Sequence, residues 1–236
     1  DMGGTSFDIS LIEDGETPVT TETKFDGYPI KVPMDDVNII GAGGGSIAWV
    51  DEGGALNVGP RSASASPGPA CYGKGGTEPT VTDANLFLGR ISPDYFMGGE
   101  IALSPEASRK AIADRVATPL KLPIVEAASG ILRVVNANMA KGISIKSTQK
   151  GYDLREFALM AFGGAGPLHA VEIAEELGIR TVIIPNHPGA LSAFGLLVAD
   201  TRHDYVRTVM SEESRMEPKR LAALLNELER EGRKQL

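Results

Sequence analysis

Three groups of residues carry side chains or bare backbone suited to chemistry. The first is Asp1-Met2-Gly3-Gly4-Thr5-Ser6-Phe7-Asp8, in which two carboxylates bracket a pair of glycines and a pair of hydroxyls. Glycine lets backbone N–H groups come close to an anion. Thr5 and Ser6 add hydroxyl donors, and Asp1 or Asp8 could orient Mg²⁺ or its water. Such a turn would grip a phosphate; the same residues would equally serve a tight hairpin carrying a surface Asp. The second group is Gly163-Gly164-Ala165-Gly166-Pro167-Leu168-His169. It follows the apolar run Phe157–Phe162 and precedes a helical pattern, so it lies where α/β proteins bind nucleotides and phosphates. The pattern is not GxGxxG, and no GxxxxGK[ST] occurs, so neither a dinucleotide fingerprint nor a P-loop is supported. The third is Asp83 in Thr82-Asp83-Ala84-Asn85. With Thr82 as N-cap, Asp83 falls in the first turn of a short helix, a favourable place for a catalytic or metal-binding carboxylate.

Other reactive residue types are less promising. Cys71 has no His or second Cys near it in sequence and reads as a packed structural thiol. His169 could donate to a ligand or cap local backbone, while His187 and His203 are isolated. Three His so dispersed give no metal-ligand spacing.

Elements must position these groups. Phe7, Ile9 and Leu11 alternate as a strand does, and residues 6–13 and 17–25 read as a hairpin around Glu13-Asp14-Gly15-Glu16. Tyr28–Pro33 reads as an edge strand because its prolines cannot donate to a ladder. Gly41-Ala42-Gly43-Gly44-Gly45 is a loop whose backbone approaches something closely, or else a bend or chain crossing. A second hairpin turns at Asp51-Glu52-Gly53-Gly54. Residues 59–80, rich in Gly, Pro, Ser and Ala, are long enough to predict an ordered active-site or interface loop.

Ser104-Pro105-Glu106 starts a helix to about Val116, with Ser as cap and Pro in the first turn. Pro123 opens a longer one to about Ser147, whose apolar face carries Ala127/Ala128, Ile131, Val134/Val135, Asn138 and Ile143/Ile145, with Asn136 and Asn138 as polar interruptions. The run Phe157–Phe162 reads as a central parallel strand. A helix follows, turning Val171, Ile173/Ala174 and Leu177 inward, with Gly178 as C-cap and Thr181–Pro185 as the next buried strand. Residues 190–199 form a small-residue helix in which Ala193 and Gly195 permit close packing. Arg202–Met210 reads as a strand, and residues 217–235 as a charged helix with a leucine stripe.

The bulk properties narrow the function. The chain has 236 residues, enough for one large domain or two small ones. Its 42% hydrophobic and 23% charged residues are ordinary for a globular protein. A net charge of −8 without a Lys/Arg cluster argues against a nucleic-acid surface. One cysteine rules out an internal disulfide framework and fits a reducing, cytoplasmic setting. No apolar run is long enough to span a bilayer. Asp1 opens directly into a motif, as expected of a piece of a longer chain.

DMGGTSFDISL resembles the second phosphate motif of the actin, heat-shock-chaperone and sugar-kinase ATPase superfamily. FGGAGPLHA is similar to that superfamily's adenosine loop, and LSAFGLLVAD to its final small-residue helix. More specifically, residues 41–91 (GAGGGSIAWVDEGGALNVGPRSASASPGPACYGKGGTEPTVTDANLFLGRI), FGGAGPLHA and PGALSAFGLLVADTRHDY resemble the hydantoinase A / 5-oxoprolinase family, continuously from Asp1 to about Tyr205. The resemblance implies an α/β fold: an actin-like, ribonuclease H-like ATPase lobe with a mixed sheet flanked by helices and an inserted Gly/Pro-rich loop region. The second lobe would span residues 1–201, and a truncated C-terminal region would begin at 202–236. It further implies ATP-dependent opening of cyclic amides such as hydantoins and 5-oxoproline, with phosphoryl transfer activating the substrate. Gly3, Gly4 and Thr5 would hold the phosphates, and Gly163, Gly164 and Gly166 would flank the nucleoside. Asp1 would take the metal, Mg²⁺ or Mn²⁺, while Asp8 and Asp83 are the catalytic candidates. The expected partners are a hydantoinase B-type subunit and the N-terminal lobe of the same chain. Two alternatives remain: a subunit of an ATP-dependent ketone carboxylase, and a non-catalytic actin-like assembly domain.

Overall fold

The computed structural model describes residues 1–148, 150–200, 203–210 and 217–235. The N-terminal half is built from short strands: β1 (Phe7–Ile9), β2 (Val19–Thr20), β3 (Thr23–Phe25), β4 (Tyr28–Ile30), β5 (Met34–Asp35), β6 (Asn38–Ile40), β7 (Ser46–Val50) and β8 (Leu56–Ser62). The helices α1 (Val81–Phe87), α2 (Pro105–Ile112), α3 (Thr118–Leu120) and α4 (Ile124–Thr148) follow, with a π-helical turn at Ala113–Ala117 joining α2 to α3. A β–α–β unit then comprises β9 (Ala158–Met160), α5 (Gly166–Leu177) and β10 (Thr181–Ile183), after which come α6 (Leu191–Val198) and α7 (Pro218–Gln235).

The core gathers around α4. Ile131, Leu132, Val135 and Met139 are buried on it, and the helix packs against β1, β6, β8, α1, α2 and α5. Its two internal glycines are points of close approach. A Cβ on Gly142 would come within 2.9 Å of Ile9 Cδ1, and one on Gly130 within 3.2 Å of Leu56 Cδ2. Asn138, expected on the apolar face, is exposed, whereas Asn136 is buried. The helical period explains this: Asn136 shares a face with Met139 and Ala140, and Asn138 falls opposite.

The expected mixed β-structure is present as small sheets. Among the described residues the strands associate two by two: β1–β6, β2–β5, β3–β4 and β7–β8 antiparallel, β9–β10 parallel. The turn at Glu13–Glu16 forms as expected, closed by reciprocal backbone hydrogen bonds between its ends. Yet β1 pairs with β6, in the register Phe7↔Ile40 and Ile9↔Asn38, and not with the strand after that turn. The β2–β5 segment is tied by Asp36 to Lys146 of α4 and to Lys150 just beyond that helix. Pairing β1 with β6 lets Ile9 and Ile40 pack together on Gly142, which the next segment's exposed Val19 could not do.

Several local expectations hold. Ser104 Oγ accepts from Ala107 N at the start of α2, and Gly178 ends α5 in the left-handed conformation. Others do not. Val171 is exposed on α5, and Ile183 and Ile184 are exposed around β10. The helix α6 has no buried residue, and open space surrounds Gly195. Arg202 lies outside the described residues, and 203–210 do not form the expected strand.

Candidate nucleotide-binding site

The N-terminal motif forms a tight loop whose shape is set by its neighbours. Asp1 and Asp8 exchange two backbone hydrogen bonds, Asp8 N to Asp1 O at 2.8 Å and Asp1 N to Asp8 O at 2.9 Å. Met2 and Phe7 bridge, and Gly3 N donates to Ser6 O at 3.2 Å. The loop Gly3–Ser6 is therefore the tip of a hairpin. Its inner side rests on the glycine run 43–45: Gly44 N donates to Gly3 O at 3.0 Å and Gly45 N to Gly4 O at 2.7 Å. A Cβ on Gly43 would come within 2.5 Å of Thr5 N, and one on Gly45 within 2.8 Å of Gly4 O. This is the close backbone approach expected of the run; what it approaches is the phosphate-motif candidate itself.

The second glycine group lies directly against the first. Met2 N donates to Phe162 O at 3.0 Å, and Ala165 N donates to Met2 O at 2.9 Å. Met2 is wholly buried between them. Gly163 has a φ of +84°, and a Cβ there would overlap Asp1 Oδ1 and Met2 O. Only glycine fits that position, on both conformational and steric grounds. Gly163 N is held by Pro188 O at 2.9 Å, and Asp1 Oδ2 accepts from Ser192 Oγ at 2.6 Å, so the start of α6 also meets the loop. The N-cap of α5, Ala165, offers no side-chain cap, leaving first-turn N–H groups of α5 without a side-chain acceptor.

The structure thus brings together Asp1, Gly3, Gly4, Thr5, Asp8, Gly163, Gly164 and Gly166. A methyl group added to Gly3, Gly4 or Gly164 would meet nothing within 4 Å, so this face of the backbone is bare. Asp8 is half-buried, with Ser6 Oγ donating to Oδ2 at 3.3 Å. Among the described residues no cluster of three or more His, Cys, Asp or Glu could hold a metal by itself. Two carboxylates beside bare backbone nevertheless suit Mg²⁺, which keeps several waters and takes few protein ligands when it travels with phosphates.

Asp83 is placed differently. It is fully buried, and both oxygens are engaged. Oδ2 accepts from Thr80 N, Thr80 Oγ1 and Ala70 N, and Oδ1 from Cys71 N and Ser108 Oγ, at 2.8–3.1 Å. Thr80, not Thr82, is the N-cap of α1, in a reciprocal capping box with Asp83. Thr82 instead donates Oγ1 and N to Gly44 O, at 2.8 and 2.7 Å. Asp83 therefore folds the loop 69–80 onto α1, and α1 in turn holds the glycine run beneath Gly3 and Gly4. This placement gives no support to direct contact between Asp83 and a substrate. Cys71 is buried against it, and that burial, with the Asp83 charge beside it, pushes the thiol well above its usual range, as expected of an unreactive thiol.

His169 neither caps backbone nor reaches the surface. It is fully buried, with Nδ1 2.7 Å from Asn136 Oδ1 and Nε2 3.3 Å from Asn85 Nδ2. Donation to Asn136 and acceptance from Asn85 define the neutral Nδ1–H tautomer. Burial lowers its pKa to about 4, with Glu172 opposing and Arg90 reinforcing the shift. Asn136 Nδ2 donates to Glu172, which pairs with Arg90. The network links α1, α4 and α5 behind the candidate site. Sequence reasoning missed the roles of Thr80, Ser192 and Asn85; the spacing Thr80-x-x-Asp83 was the one available signal, an N-cap three residues ahead of an acid.

Comparisons with known proteins place the chain in a family. The Hydantoinase/oxoprolinase family model matches residues 1–205. The caprolactamase subunit alpha of Pseudomonas jessenii is 49% identical over 209 residues, which is 89% of this chain and 30% of that protein. The 5-oxoprolinase of Saccharomyces cerevisiae is 40% identical over 211 residues, 85% of this chain and 16% of that protein. In solved structures, nucleotide-free acetone carboxylase, from work on ATP-dependent acetone carboxylation, superposes with a TM-score of 0.85 at 30% identity, over 98% of this chain and 34% of that one. The chain spans about a third or less of the length of these relatives. Its fold is mixed α/β, and no described helix is long and apolar enough to cross a membrane. On this match the chain belongs to the hydantoinase/oxoprolinase family.

Proposed function

We propose that the chain is the nucleotide-binding, actin-like lobe of an ATP-dependent enzyme that opens cyclic amides. The observation that supports this is the contact between the base of the N-terminal hairpin, Asp1–Met2, and the loop Phe162–Gly166, together with bare backbone at Gly3, Gly4 and Gly164. ATP, when bound, supplies the phosphoryl group that converts an amide carbonyl oxygen into a leaving group. The chain's own residues position and neutralise. Backbone N–H groups of Gly4 and Thr5, and the Thr5 hydroxyl, would donate to phosphate oxygens. Asp1, fixed by Ser192, would hold Mg²⁺ or Mn²⁺, and Asp8 would orient its water. Gly163, Gly164 and Gly166 would flank the nucleoside. Asp83 acts at one remove, as a positioning residue for the layer under the phosphates. A B-type subunit and the remainder of the polypeptide would complete the cleft and bring the cyclic amide.

A ketone carboxylase subunit is the second reading, favoured by the superposition on acetone carboxylase. Measuring ATP turnover of the complete enzyme against a panel of lactams and hydantoins, and against ketones with bicarbonate, separates the two. Stimulation by cyclic amides alone supports hydrolysis. In the same enzyme, Gly164→Glu places a carboxylate on the nucleoside face; ATP affinity unchanged by it would sink the binding assignment.

A further inference from the structure

The loop 59–80 places a short exposed stretch, Ser64–Pro67, beside the hairpin tip. Both ends of the stretch are anchored. Ala63 N donates to Gly45 O at 2.9 Å, and Gly68 N to Ala63 O at 3.2 Å. Farther on, Ala70 N and Cys71 N donate to the carboxylate of Asp83. Ser64 N donates to Ser62 Oγ at 3.1 Å. Ser64 itself holds a left-handed φ of +55°, a backbone conformation that residues with a side chain seldom adopt and that recurs where a loop is shaped for function.

The glycine run sets the order of the neighbouring segments. A Cβ on Gly44 would lie 3.9 Å from Ala165 Cβ and 3.9 Å from Gly3 O. A Cβ on Gly45 would lie 2.8 Å from Gly4 O, 3.1 Å from Ser62 Oγ and 3.8 Å from Ser64 N. Gly4 and the serine stretch therefore flank a single glycine, with no side chain of that residue between them. The loop 163–166, the hairpin tip and the serine stretch follow one another in that order along the run. With a nucleoside at the loop 163–166 and its phosphates at the tip, the terminal phosphate ends toward the serines. Building on the nucleotide lobe proposed above, we propose that Ser64-Ala65-Ser66 binds the phosphoryl acceptor, an uncharged cyclic amide whose carbonyl oxygen these residues hold against the terminal phosphate.

The chemistry of the stretch suits such a ligand. Among the described residues the backbone N–H groups of Ala65 and Ser66 have no protein acceptor, and the hydroxyls of Ser64 and Ser66 have no protein partner. Those N–H and O–H groups are donors for a carbonyl oxygen, as the unspent N–H groups of Gly4 and Thr5 are for phosphate. The side chains at 63–66 are no larger than a hydroxymethyl, which leaves room for a ring. The adjoining cation, Arg61, is paired with Glu78 at 3.2 Å, and the stretch itself carries no charge. Donors without an unpaired cation fit a neutral amide better than bicarbonate, which would bring a charge of its own. Anchoring at both ends holds the donors in place before the ligand arrives, so little ordering is left to oppose binding.

The test uses the complete enzyme with caprolactam, 5-oxoproline and hydantoin as acceptors. Ala65→Glu sets a carboxylate where the carbonyl oxygen would lie. It should keep ATP affinity, read by calorimetry, within about 3-fold and cut acceptor-dependent ATP turnover about 100-fold or more. Ser66→Ala removes one hydroxyl. It should hold the melting temperature within about 2 °C and raise KM for the acceptor about 5-fold or more, with KM for ATP unchanged. If Ala65→Glu lowers the melting temperature, Ser66→Ala carries the decision. Acceptor kinetics unchanged in both variants overturn the proposal, and Gly164→Glu then shows whether the nucleotide assignment survives it. ATP affinity weakened as strongly by Ala65→Glu as by Gly164→Glu also overturns it, since the serines would then belong to the nucleotide site. ATP affinity unchanged in Gly164→Glu sinks the nucleotide reading instead, and the order of segments that rests on it.

Discussion

Two sets of glycines in this protein look alike in sequence and differ in what surrounds them. Gly43, Gly45 and Gly163 are glycines because another part of the chain occupies the space a side chain would need: Thr5 N, Gly4 O, and the Asp1–Met2 backbone. Gly3, Gly4 and Gly164 face open space, and no positive φ demands glycine at any of them. Packing accounts for the first set and not for the second. A ligand approaching bare backbone would account for it, and the proposed function puts the nucleotide on that face. The carboxylates divide in the same way. Asp83 has five protein donors, whereas Asp8 receives one long hydrogen bond from Ser6 and lies beside the open face.

Substitutions can break or sharpen this contrast. The largest effect is expected at Asp83. Asp83→Ala strands five buried donors and should cost more than about 3 kcal/mol of folding stability, read by denaturant unfolding. A variant with wild-type stability but lost turnover would reverse the assignment and make Asp83 a catalytic residue. Gly43→Ala should cost about 2 kcal/mol, since the methyl meets backbone that cannot move aside cheaply. Gly164→Glu should leave the melting temperature within about 2 °C while weakening ATP binding about 10-fold or more, measured by calorimetry on the complete enzyme. Equal losses of stability in Gly43→Ala and Gly164→Glu would erase the distinction between the two sets.

A smaller, graded effect is expected from His169. Its folded pKa, about 4, lies below the ordinary His value of 6.5. Between those values the unfolded chain takes up a proton that the folded chain does not. His169 therefore lowers stability as pH falls from about 6.5 to about 4, with a slope of at most about 1.4 kcal/mol per pH unit. His169→Gln should flatten that part of the pH profile even if it lowers stability overall. The smallest effect belongs to Gly4→Ala, which should change stability by less than about 0.5 kcal/mol, because open space receives the methyl.

Local structure was legible wherever short-range chemistry decides it. The Ser104 cap, the Gly178 terminus, the turn at Glu13–Glu16 and the span of α4 all follow from residues within a few positions of each other. The cap of α1 was misplaced by two residues because Thr80 and Thr82 both qualify by type; only the turn of the chain aims Thr82 at Gly44 instead. Pairing of β1 was misread for a different reason. Periodicity places Phe7, Ile9 and Leu11 on one face but does not name the partner strand, and the nearer candidate lost to β6, which brings Ile40 onto Gly142.

By itself the sequence determined the family, the order of elements and the two glycine loops as the residues to watch, because composition and motif spacing are local properties that survive without coordinates. Tertiary structure alone decided which glycines are bare and which are filled, that Asp83 turns inward to five donors, and that His169 is locked between two asparagines. Those outcomes depend on segments separated by dozens of residues meeting within hydrogen-bond distance. Residue type states what a group is able to do, and only the neighbours that chain folding brings to it determine whether that capacity is already spent.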